Sequence, residues 1–157
     1  MHIKPHLAAL GRIPSGIFVV TVRHDSAETG MLASWIQQCS FEPPQITFAV
    51  KKGRYLADWL PLGALFTINI LDDTETDMIG HFGRGFEANE PAFDGLEIRR
   101  RPDAPPILED CLAYLDVRVT DRHPAGDHDL FFAAVLNGAM LNEGRPMVHV
   151  RKSGGHY

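Results

Sequence analysis

Lys51, Lys52 and Arg54, with Gly53 among them, place three cationic side chains within four residues. Such a loop suits an anion. Guanidinium and ammonium groups make charge-assisted hydrogen bonds to phosphate oxygens, and a glycine lets the main chain wrap around them. Tyr55, Leu56, Trp59 and Leu60 follow on one helical face, so the loop is expected to open a helix whose free N–H groups favour the same charge. Read by itself, a solvated turn is the commoner outcome for so short a basic run.

Two further groups could act beside it. Ala33, Ser34 and Trp35, backed by Ser40 and the Pro43-Pro44 corner, could wall a planar ring. Main-chain groups would read the ring's edge and Ser34 would add a hydroxyl. For an isolated strand, plain core is the simpler account of Trp35 and Ile36. Gly126, Asp127, His128 and Asp129 precede an apolar strand. A histidine flanked by acids is either a tuned acid or base or a turn cap, and the residues alone leave both open.

Several chemistries lack their residues. The eight histidines are scattered without helical ligand spacing, so no metal site is expected. Residues 30–34 do not have nucleophile-elbow spacing, and neither a Walker loop nor a dinucleotide fingerprint occurs. A nicotinamide user of this length would therefore need to bind its nucleotide without a Rossmann unit. The formal net charge of −5 argues against general nucleic-acid binding. No apolar run is long enough to cross a bilayer and no signal-peptide layout is present, so no membrane association and a cytoplasmic location are expected. Cys39 and Cys111 are expected to be reduced. The length fits one domain, 1–157.

The elements that must position these groups read as strands. Residues 17–22 are β-branched and aromatic, a buried strand; residues 24–29 form a turn, returning the chain along a strand over 31–38. Residues 45–50 alternate as a third strand, and 64–71 form a fourth. Thr74 or Thr76 is expected to cap a short helix reaching Phe82. Residues 83–106 are rich in Gly and Pro and read as a long excursion that could gate a site, with one short strand near 96–99. Residues 113–120 alternate cleanly, 121–127 form a loop, 130–140 form a strand apolar on both faces, and 146–150 a closing strand. Six or seven antiparallel strands with two or three short helices favour a closed, mainly β barrel.

The strings GMLASWIQQCSFEPP from Gly30, AVKKGR from Ala49, FTINIL from Phe66, Gly126-Asp127-His128, and VRKSGGHY from Val150 resemble the flavin reductase-like family. Within it, the similarity is to the flavin reductase domain at the C-terminus of cyanobacterial-type flavodiiron proteins. The resemblance implies a Greek-key split β-barrel of the FMN-binding type, usually a homodimer, that passes hydride from NADH or NADPH to FMN. Carried over, Met31, Leu32, Ala33, Ser34, Trp35, Cys39 and Ser40 would line the isoalloxazine. Val50, Lys51, Lys52 and Arg54 would take the ribityl phosphate, and His128 would stand catalytically beside the ring where nicotinamide stacks. Tyr55 departs from the small hydroxyl residue common in the family after the basic loop. Because the chain starts from its own Met, any diiron, flavodoxin-like or other electron-acceptor partner is expected to be a separate polypeptide. An FMN-holding electron carrier with no NAD(P)H activity stays open as an alternative, and a pyridoxamine phosphate oxidase-like enzyme ranks below both.

Overall fold

Val19, Val20, Thr21 and Val22 are all fully buried, so the strand that carries them has a covered surface on both faces. The computed structural model describes residues 2–157 and shows what those two surfaces are. The order is α1 (Pro5–Leu10), β1 (Ser15–Gly16), β2 (Phe18–His24), β3 (Ala27–Ala33), β4 (Ile36–Phe41), β5 (Pro44–Lys51), a 3-10 turn (Tyr55–Trp59), β6 (Leu65–Ile70), α2 (Thr76–Gly83), β7 (Ile98–Arg101), β8 (Ala104–Leu108), β9 (Ala113–Ala125), β10 (His128–Met140) and β11 (Val148–His149). Seven strands form one antiparallel sheet in the order β3-β2-β6-β9-β10-β5-β4. Its two outer strands are consecutive in sequence. The sheet curls until β3 and β4 meet through Ser34 and Trp35, where Ala49 N donates to Trp35 O at 3.1 Å. This is a split β-barrel of the expected mainly β class.

The barrel interior is filled by Val20, Val22, Phe48, Val50, Phe66, Ile68, Val117, Val119, Phe131 and Ala133. These are the alternate residues of five strands, as the period-2 pattern requires. The opposite face of β2 and β6 carries a second apolar cluster. Val19 and Leu71 there meet Phe82 of α2, with Phe93 from the excursion and Ile107 and Leu108 just after it.

That excursion is therefore not an open loop. Residues 98–108, which begin within it, form the β7–β8 hairpin, pinned to the sheet by buried polar groups. Thr21 Oγ1 donates to Pro106 O at 2.7 Å, and Leu108 N donates to Asn69 Oδ1 at 2.9 Å. Arg101 reaches both oxygens of Asp116, at 2.6 and 2.8 Å, and Pro105 O at 2.8 Å. Thr67 Oγ1 donates to Asp116 Oδ1 at 2.6 Å. Alternation along β9 placed Asp116 toward solvent; it is only 3% exposed, because the hairpin covers that face.

Other expectations shift at the edges. The β2–β3 turn is tight, with Asp25 at φ 53°, and the expected strand over 31–38 is two strands broken at residues 34 and 35. Residues 121–125 continue β9 instead of looping. β10 is buried over its first half, whereas residues 136–140 are exposed. The closing strand shrinks to β11, paired with β1. α2 begins after Glu75 without a side-chain cap, since the Thr74 hydroxyl bonds Asp72 instead. No helix among the described residues is long and apolar enough to cross a membrane.

Asp116→Ala should leave the Arg101 guanidinium beneath the hairpin without its carboxylate. Removing one partner of such a pair costs roughly 3 kcal/mol, and urea unfolding monitored by far-UV circular dichroism should read that loss. A midpoint equal to that of the native chain would show that the hairpin does not depend on this pair.

Candidate active site

The gap where β3 passes into β4 is also where a cavity of about 400 Å³ opens, within the range of ligand sites, roughly 300–1,000 Å³. Met31, Leu32 and Ala33 end β3 and form one wall; Ser34 and Trp35 form its edge. Phe48, Ala49, Val50 and Lys51 come from β5, and Ile79, Phe82 and Gly83 from α2 close the far side. Ser34 belongs to neither ladder, so its main chain and hydroxyl face the cavity without strand duties.

The electrostatics are one-sided. Lys51, Arg54 and Arg151 line the cavity, and no carboxylate does among the described residues. Gly53 takes φ +91°, which the turn requires and which side chains resist. The expected helix after the basic loop is a five-residue 3-10 turn with no side-chain cap, too short to present a helix dipole. The positive charge at this end comes from the side chains. Tyr55 turns away from the loop: its hydroxyl donates to Phe86 O at 2.6 Å and lies 3.1 Å from Thr29 Oγ1.

The residues singled out from sequence divide into three groups. Met31, Leu32, Ala33, Ser34, Trp35, Val50, Lys51 and Arg54 come together around the cavity. Lys52 stands outside that lining; its N–H donates to Asp127 O at 2.9 Å and ties the basic loop to the β9–β10 turn. Cys39 and Ser40 lie further along β4, past a register shift between Gln38 and Ser40, and Cys39 is exposed. His128 lies behind the wall. Register pairs it with Lys51, and its ring is 4.8 Å from that of Trp35, tilted by 38°. His128 Nδ1 lies 2.7 Å from Asp127 Oδ1, and that bond holds the Asp127 carboxyl below its usual range.

Three lining groups escaped sequence reasoning. Arg151 places its guanidinium 5.2 Å from the Trp35 ring centroid. Tyr157 sits 5.1 Å from the same ring and hydrogen-bonds His128 Nε2. Phe82 enters from α2. The only sequence signal for the first two was the VRKSGGHY string, which carried no role; for Phe82 there was none, since a phenylalanine in a short helix reads as core. Among the described residues no cluster of His, Cys, Asp or Glu could hold a metal ion.

Comparison with known proteins gives a consistent picture. The family described as Flavin reductase like domain matches residues 10–155. "Putative diflavin flavoprotein A 6" of Nostoc sp. is 38% identical over 151 residues, covering 95% of this chain and 26% of that protein. "Diflavin flavoprotein A 1" of Synechocystis sp. is 36% identical, with the same coverage. The chain thus spans about a quarter of the length of these relatives. Among solved structures, the NADH:FAD oxidoreductase SgcE6 of Streptomyces globisporus superposes with a TM-score of 0.82 at 24% identity, covering 95% of this chain and 87% of its own.

The two cysteines are free and differ in reactivity. Burial pushes the Cys111 thiol up to about 12, and a thiol rather than a thiolate alkylates poorly. Iodoacetamide on native protein should modify Cys39 alone, with Cys111 following after denaturation, as read by peptide mass spectrometry. Native labelling of Cys111 would contradict these placements.

Proposed function

The chain belongs to the flavin reductase like domain family, and from that premise we propose that it holds FMN in the cavity at the barrel closure and reduces it with NADH or NADPH. The observation that carries this reading is the pairing of an apolar wall with a cationic end. Met31, Leu32, Ala33 and Phe82 offer a flat apolar surface, Lys51 and Arg54 offer paired charge for a phosphate, and no acid intervenes. A ring with an anionic tail suits such a cavity better than a cationic ligand does.

When bound, the flavin supplies the redox chemistry, and the protein supplies position and electrostatics. Met31 to Ala33 would support one face of the ring, with the main chain at Ser34 and Trp35 along its edge. Lys51 and Arg54 would hold the phosphate. His128, behind Trp35, would orient groups on the side where the nicotinamide approaches. Cys39, Ser40 and Lys52 join this site only if a second copy or the ligand itself reaches them. The name of the structural neighbour pairs NADH with FAD, so FMN is preferred here on chemistry alone: one phosphate matches the compact cation set. Residues 1–157 act as one flavin-binding unit, and electron transfer onward to an acceptor follows from the same reading.

A homodimer also belongs to this reading. Phe41 is 89% exposed at the β4–β5 turn. The β5–β10 register, with Gln45 opposite Ala134, brings the exposed Leu136 out beside that turn. Apolar side chains so placed suit burial against a second copy.

Anaerobic mixing of FMN-loaded protein with NADH or NADPH should bleach the flavin absorbance. Protein that binds FMN and bleaches with neither nucleotide would support the electron-carrier alternative instead. Lys51→Glu and Arg54→Glu should each weaken FMN by tenfold or more while leaving riboflavin nearly unchanged, since a charge-assisted contact is worth about 1.5–3 kcal/mol. Equal losses for both ligands, read by fluorescence titration, would remove the basic loop from the site.

A further inference from the structure

Arg151 is a cation without an acid. Arg84, Arg99, Arg100, Arg101 and Arg122 each pair with a carboxylate. Arg151 instead lines the cavity, where no carboxylate stands among the described residues. Its Nη1 donates to His156 O at 2.9 Å, and no second acceptor among the described residues takes its other N–H groups. A guanidinium offers several donors in a fixed fork, so most of this one is left for a ligand.

The group is nonetheless fixed in place. Arg151 N donates to Gly11 O at 2.9 Å. The guanidinium carbon lies 5.2 Å from the Trp35 ring centroid, within the range of a cation–π contact. Trp35 is itself tied to β5 through Ala49 N. The field of Arg151 is felt by its neighbours: burial raises the Tyr157 hydroxyl above its ordinary value, and Arg54 and Arg151 pull against that.

The count of charges separates Arg151 from the basic loop. A phosphate monoester carries about −1.5 to −2 at neutral pH, which Lys51 and Arg54 balance between them. Arg151 comes from a different element and stays unbalanced, beside the Ser34–Trp35 edge of the cavity.

Reduction by a dihydronicotinamide changes the charge at that place. The nicotinamide C–H bond breaks, and its electron pair leaves with the hydrogen to form an N–H bond on the ring. The nicotinamide becomes a cation and one negative charge stays on the ring, so atoms and electrons balance with no further proton. We propose, resting on the flavin reading above, that Arg151 is the counter-charge for the reduced ring. It favours the ring after hydride arrival over the neutral ring before it, and leaves the phosphate to Lys51 and Arg54. Apolar walls lower the local dielectric, so a charge here acts more strongly than it would in water.

The other charged or titratable groups around this place are Lys51 and Arg54 on the basic loop, His149 on β11 and Tyr157 beyond it. His128 and Asp127 stand behind Trp35, and the Asp127 side chain is 80% exposed. No acid at the cavity competes for Arg151.

The test is equilibrium redox titration of FMN-loaded protein against a reference dye, with the affinity for oxidised FMN measured separately by fluorescence. Arg151→Met keeps an apolar stem over Trp35 and removes the charge. It should weaken reduced FMN relative to oxidised FMN tenfold or more, lowering the midpoint potential by about 30 mV, the two-electron equivalent of that factor. Affinity for oxidised FMN should change less than threefold, and Arg151→Lys should recover most of the potential. The native protein supplies a check that needs no variant. Reduced, FMN-loaded protein titrated with acid, followed by near-ultraviolet absorbance, should take a further proton on the ring about one pH unit below free reduced FMN, a tenfold shift.

An unchanged potential in Arg151→Met with FMN bound overturns this role and leaves the flavin reading intact. Equal weakening of both redox forms does the same and moves Arg151 to the phosphate. A native ring that protonates at or above the pH of free reduced FMN overturns the role whether or not the variants fold. Native protein that binds no flavin overturns both.

Discussion

The seven-stranded sheet closes by covalent chain instead of by a hydrogen-bonded ladder, and the rest of the site depends on that. β3 and β4 lie at opposite ends of the strand order yet are joined by two residues, Ser34 and Trp35. The Ser34 main chain there is released from strand pairing, and the barrel wall has a gap. In a fully closed barrel the interior is filled by side chains; in this one the gap is a cavity with main chain exposed along one rim. The cavity's edge and the fold closure are the same two residues.

A gap in a barrel wall needs reinforcement, and the second apolar layer supplies it. α2 and the β7–β8 hairpin cover the outer face of β2 and β6, so Phe82 can reach across to the cavity while Phe93, Ile107 and Leu108 hold the layer down. The side chains of Thr21, Asn69 and Asp116 beneath the hairpin all find hydrogen-bond partners, and of the buried side-chain polar atoms among the described residues only Arg101 Nε is left without one. Buried polar groups with complete partners specify one arrangement, because any slip leaves a donor or acceptor unpaired in low dielectric. The Gly- and Pro-rich composition of residues 83–106 thus serves tight turns beside a packed layer, and Gly83 and Gly85 stand at the cavity.

Charge is distributed to match. Lys51, Arg54 and Arg151 stand at the cavity while the chain as a whole carries −5. A local positive field in a net-negative molecule attracts a small anionic ligand without attracting polyanions. Trp35 links the two ends of this arrangement, since Arg151, His128 and Tyr157 all pack on its ring.

Much of the architecture was legible in the residues. Period-2 patterning located most strands, the basic loop and residues 31–35 pointed to one wall and one charged end, and the string resemblance named the family. Local signals misled where tertiary cover intervened: Asp116 alternates outward and is buried, the Tyr55 to Trp59 stretch is too short for a dipole, and Cys39 and Ser40 follow Trp35 in sequence yet leave the cavity. By itself, the sequence determined the β periodicity, the cation set and the family, because each is a property of neighbouring residues. Only the tertiary structure decided that Tyr157 and Arg151 converge on Trp35 and that Phe82 reaches the same cavity. Those contacts join residues more than twenty-five positions apart, and no local pattern encodes which distant backbone will arrive.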